Sequence, residues 1–119
     1  MKLSDLEWND GETGGVLNTT YSMAEARFDF RGHHFVAVEW FRRTGHPFHP
    51  YASLILIAEE CDQTADAALL RSIAFGAQGV EHDGQPRAIH SAILGRRVIL
   101  IADATDRGLD LTAALAEII

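Results

Sequence analysis

The segment Gly45-His46-Pro47-Phe48-His49-Pro50 sets two imidazoles three residues apart between prolines that restrict the backbone. Imidazole nitrogen is a ready ligand for zinc and related ions, so His46 and His49 form the candidate metal-binding pair of the chain. A closed site needs three or four converging N, O or S ligands, whereas this loop supplies two histidines and no nearby thiolate. A second pair, His33-His34, stands at the far end of the preceding expected strand. That strand is about eight residues long, near 25 Å at about 3.3 Å per residue, so one ion does not reach both pairs within one chain. The plainer reading of the loop is a tight turn whose Phe48 packs inward or meets a partner, and it is preferred.

Other chemistry has less support. Ser53, Ser72 and Ser91 lack the glycine frame that strains and exposes a nucleophilic serine. His90 and Ser91 are neighbours on an expected strand, so they point to opposite faces and form no dyad; His90 is expected to be half-buried. Asp103, Asp106 and Asp110 surround Gly108 without the spacing of a calcium loop, and acids ahead of a helix are expected to cap it and oppose its dipole. Gly76 and Gly79 close an expected helix instead of opening one, so their amides face the wrong way for a phosphate. Cys61 is the single cysteine and forms no internal disulfide; Glu59, Glu60 and Asp62 around it argue against a reactive nucleophile. No cofactor is expected, and the chain reads as non-enzymatic.

Net charge narrows the partners. Seventeen acids against ten Lys and Arg give −7 over 119 residues, a surface that repels polyanions. Nucleic acid and anionic membrane are therefore not expected as partners, and the basic spots Arg42-Arg43 and Arg96-Arg97 read as solvated strand ends. No apolar run approaches the roughly 18 residues of a membrane span. The first fifteen residues carry acids where a signal peptide has its apolar core, which together with the lone cysteine points to the cytoplasm.

The elements that must carry these residues follow from periodicity. Ala24, Ala26, Phe28 and Phe30 alternate with Glu25, Arg27 and Asp29, the pattern of a strand with one wet face. Gly32 can take positive φ, and the chain is expected to reverse there. His34 to Phe41 and Leu54 to Ala58 are apolar on both faces, as inner strands are. A helix is expected from Ala65 to about Ala77, then strands Arg87–Leu94 and Arg97–Ala102 about Gly95-Arg96, then a final helix capped by Asp110. Residues 1–23 are the least defined: Ser4 and Glu7 have capping-box spacing for a short helix, which Asn9-Asp10-Gly11 would stop, and Val16 to Tyr21 suits an edge strand.

The expectation is one α+β domain over 1–119, an antiparallel sheet of about five strands in the order β-β-β-α-β-β-α packed against two main helices. From Ala24 onward that order is similar to the small acidic secretion chaperones, homodimers that bind extended client segments. No motif carries the resemblance, the long first helix of those proteins is missing, and no functional residue transfers. Two helices do not cover both faces of a sheet whose inner strands are apolar on each side, so the expected role is a protein-interaction module, adaptor or chaperone-like. It would be a homodimer joined through an apolar sheet face. The expected contact residues are Phe35, Phe41, Phe48 and the closing Ile118-Ile119, whose exposure would forgo roughly 1.5–3 kcal/mol of burial each. A small-ligand or metal protein using His46 and His49 is the alternative.

Overall fold

The computed structural model describes residues 1–16, 19–43, 51–61, 68–70, 84–102 and 106–119, with backbone alone for 10–16, 19–22, 42–43 and 51–52. Six strands pair antiparallel throughout: β1 (Asn9–Val16), β2 (Thr19–Phe30), β3 (His33–Arg43), β4 (Tyr51–Glu59), β5 (Pro86–Ser91) and β6 (Arg96–Ala102). Their order across the sheet is β1-β2-β3-β4-β6-β5, so the chain passes from β4 to the far edge and returns to pair inside it. A 3-10 turn (Leu3–Asp5) precedes the sheet and a helix (Thr112–Ile118) follows it. Residues 68–70 are helical as well. The α+β class and the antiparallel sheet agree with the sequence; the remainder of the helix expected over Ala65–Ala77 lies outside the described residues.

A sixth strand joins the five expected, and it is not the edge strand read over Val16 to Tyr21, since Thr19–Tyr21 open β2. Asn9–Val16 reads Asn-Asp-Gly-Glu-Thr-Gly-Gly-Val, a stretch that looked like a helix stop, yet it forms edge strand β1 with a register shift between Asp10 and Thr13. Pairing along the long β2 supplies what its side chains do not, since backbone hydrogen bonds need no apolar pattern. The expected first helix shrinks to the 3-10 turn. Leu3 N and Ser4 N donate to the Leu109 and Arg107 carbonyls at 2.9 and 2.8 Å, and Leu111 N donates to the Met1 carbonyl at 2.8 Å. The opening residues are thus strapped to the entrance of the final helix.

Hairpin β2–β3 turns on Arg31 and Gly32, both with positive φ (50° and 80°), in register Phe30 opposite His33. That two-residue geometry matches the right-handed strand twist. The β5–β6 hairpin is looser than the sequence suggested. Ser91 pairs with Arg96 across the four residues Ala92–Gly95, with Gly95 N donating to the Ser91 carbonyl at 2.8 Å and Leu94 N to Ser91 Oγ at 3.2 Å. Ile93 and Leu94 therefore belong to the turn and not to the strand.

Both faces of the sheet are filled. One carries Ala26, Phe35, Ala37, Ile55, Ile57, Ile99 and Ile101, closed by Leu3, Leu6, Leu111, Ala114 and Leu115 from the two chain-end elements. The opposite face carries Met23, Val36, Val38, Trp40, Leu54, Leu56, Ala58, Val98, Leu100 and Ala102, with Leu70 of the helical residues packed into it. Period-two alternation sends neighbours along β3, β4 and β6 into different cores. The bare apolar sheet face on which the homodimer expectation rested is therefore absent among the described residues: Val36, Val38, Leu56 and Val98 are fully buried within one chain.

Two adjacent residues of β4 test this two-sided burial. Leu56→Ala and Ile57→Ala should each cost about 2–5 kcal/mol of stability in chemical denaturation, while Ile93→Ala in the exposed turn should change it by less than about 0.5 kcal/mol. A neutral result at either β4 position would mean that its face is open.

Candidate functional site

The polar residues of the sheet gather at one end, where β2 leaves the core. Glu25, Arg27 and Asp29 alternate on the wet side of β2, His34 opposes Asp29 in register on β3, and Glu60 follows β4. Arg27 Nε donates to Glu60 Oε2 at 3.0 Å and Arg27 Nη1 to Glu25 Oε2 at 3.2 Å, while His34 Nδ1 pairs with Asp29 Oδ1. On the other face of the same hairpin, His33 Nδ1 lies 3.2 Å from Glu59 Oε1. An open cleft of about 270 Å³ is bounded by Arg27, Phe28, Asp29, His34, Phe35 and Glu60. Glu60 N donating to the His34 carbonyl at 2.8 Å fixes its floor.

Electrostatics in this cleft are largely internal. The hydrogen bond that Asp29 accepts from His34, and then the carboxylate's charge, raise His34 above the ordinary histidine value. The lining holds no serine, threonine or cysteine; its ionisable groups are Arg27, Asp29, His34 and Glu60. Among the described residues no group of three or more His, Cys, Asp or Glu side chains is placed to hold a metal ion. His46 and His49 lie outside the described residues.

The second polar cluster is structural. Ser53 Oγ donates to Glu39 Oε2 at 3.5 Å, and Arg107 bonds the same carboxylate, tying the loop before the final helix to β3. Asp106 Oδ1 accepts from Gly108 N at 3.0 Å, and Asp110 Oδ1 accepts from the Thr112 amide and hydroxyl at 2.8 and 2.6 Å. These two bonds, the hydroxyl first, hold the Asp110 carboxyl below its ordinary value. The expected capping role of Asp110 is thus performed from one residue before the N-cap, Leu111.

The residues expected to meet a partner separate on inspection. Phe35 is 1% exposed and stacks on Phe28 at 5.5 Å between ring centroids, so it belongs to the core and is withdrawn from any contact surface. Phe41 is half-buried on that face, Ile118 packs partly against the core, and Ile119 remains 45% exposed. Phe48 lies outside the described residues. His90, expected to be half-buried, is exposed on edge strand β5.

What the sequence reading missed is the surface around β5. Ile89 at 37% and Ile93 at 62% join Ile119 as the exposed large apolar side chains among the described residues. Only the crossover order, which places β5 outside β6, shows that this expected strand is an edge.

Comparison of the chain with protein-family models, with curated proteins and with solved structures finds no match in any of the three. No helix among the described residues is long and apolar enough to cross a membrane.

The His34–Asp29 pair gives a direct test. Because the folded value is raised, its contribution to stability is complete below about pH 6.5 and fades as the pH climbs through the folded value. Proton NMR titration should place the His34 midpoint above that of the Asp29→Asn variant; coinciding midpoints would show that the pair does not form in solution.

Proposed function

We propose that the chain is a non-enzymatic protein-interaction module, adaptor or chaperone-like, whose contact surface is the β5–β6 hairpin. The observation that carries this reading is the placement of Ile89 and Ile93 together on one edge hairpin, in a sheet whose faces are otherwise filled from within. An apolar side chain left in water forgoes burial of roughly 1.5–3 kcal/mol, and two of them beside an edge strand suit a protein contact. An edge also presents a row of backbone donors and acceptors ready to pair with an incoming chain. Because the sheet faces are covered, a partner of either kind, a second copy or another protein, is assigned to this edge and not to a face.

Site-specific photo-crosslinking in cells of origin tests the surface. A benzophenone side chain at position 93 should give discrete protein adducts, and the same group at position 31, in the polar β2–β3 turn, should give none. Equal labelling at the two positions would remove the hairpin as the contact surface.

A further inference from the structure

We infer that the β2–β3 tip is a proton-operated latch: His33 and His34 fasten the start of β3 to carboxylates on opposite faces of the sheet, and loss of their protons releases residues 29–34. The latch is independent of the β5–β6 contact surface.

Adjacent residues of a strand point to opposite faces, so the two imidazoles part at once. His34 stands opposite Asp29 of β2 in register, and its Nδ1 pairs with Asp29 Oδ1. His33 turns the other way, and its Nδ1 lies 3.2 Å from Glu59 Oε1 of β4. The β3–β4 ladder ends at Phe35 opposite Glu59. Past that pair, the Glu60 amide donates to the His34 carbonyl at 2.8 Å, and the His33–Glu59 contact adds a side-chain link to the same strand. One histidine thus ties β3 to the strand before it, and the other ties it to the strand after it.

The latch holds a strained turn shut. Arg31 has φ of 50°, in the left-handed region that a side chain disfavours. Asn, Asp and Gly are the usual occupants of that position. The Arg31 guanidinium lies 4.9 Å from the centroid of the Phe30 ring, which engages the side chain without removing the backbone strain. A conformation of this cost persists where its surroundings over-determine it. Two of the contacts that do so are ion pairs only while the imidazoles carry protons.

The charges around the imidazoles set the direction of the switch. Asp29 and Glu60 face His34 with negative charge, while Arg27 is matched by Glu25 and Glu60. His34 accordingly keeps its proton above the ordinary histidine range. Toward His33, Glu59 brings the opposite charge, while Arg96, bonded to the Glu59 carbonyl at 2.8 Å, and Arg31 of the turn bring like charge. The tip is therefore held on the acid side and opens as the pH rises through the histidine range. Asp29 and His34 also line the cleft of about 270 Å³, so release loosens that side of it.

Backbone amide exchange of the full chain, read by NMR and corrected for the base catalysis of exchange itself, tests the latch between about pH 6 and about pH 8. Protection over residues 29–34 should fall about threefold across that range, the size expected of two largely exposed ion pairs, while residues 54–58 keep theirs. A His33→Gln, His34→Gln variant should show the lower protection at both pH values, and each single variant should retain a smaller response. An Asp29→Asn, Glu59→Gln variant removes the carboxylates without touching a histidine and should give the same pH-independent tip. Both double variants should keep the wild-type circular dichroism. Unchanged protection in the wild type, a response that survives in either double variant, or an equal loss over residues 54–58 would each overturn the latch.

Discussion

Burial of β4 and its neighbours on both sides is the constraint on which the remaining structure depends. In Leu54–Ala58 every residue is buried, the odd positions in one core and the even positions in the other. The same holds for Val36–Val38 and Val98–Ala102. A strand in that position has no side left for a polar group, and a one-residue slip would exchange the contents of two cores. Within those three segments no polar residue occurs. Arg27, Asp29, His34 and Glu60 meet at one end of the sheet, and Glu39, Ser53 and Arg107 meet at another point, beside the buried Trp40 of β3.

Much of this was legible in the residues. Alternation over Ala24–Phe30 marked β2 and its wet face, Gly32 marked the reversal, and the β-branched runs at Leu54–Ala58 and Val98–Ile101 marked inner strands. These readings succeed because side-chain burial is what periodicity reports. Edge strand β1 was illegible for the same reason: Asn9–Val16 has one apolar residue, and its place in the sheet comes from backbone pairing alone. The β5–β6 turn was misplaced because Ile93 and Leu94 look like strand residues, while the Ser91 hydroxyl and Gly95, with φ of 71°, set the turn.

The expectation of a bare sheet face departs from the structure at a particular step. Doubly apolar strands were read as surplus surface, with two helices as the only cover. The chain-end segments supply further cover, since Leu3 and Leu6 join Leu111, Ala114 and Leu115 over one face. Residues 1–6 have no helical or strand periodicity, and their role comes from hydrogen bonds to residues 107–111 that no sequence pattern announces. Phe35 passed from candidate contact to core for this reason, and attention moved from the faces of the sheet to its rim.

The crossover that puts β6 inside β5 has a consequence for how the molecule breathes. Residues of β5 supply no member of either core cluster, while β6 supplies five, Val98 to Ala102. Detaching the outermost strand therefore leaves both interiors sealed, whereas detaching β6 would breach the two together. Opening of the rim is then a local event, separable in free energy from global unfolding. A sheet arranged in this way can exchange its outer strand with solvent while its centre stays shut.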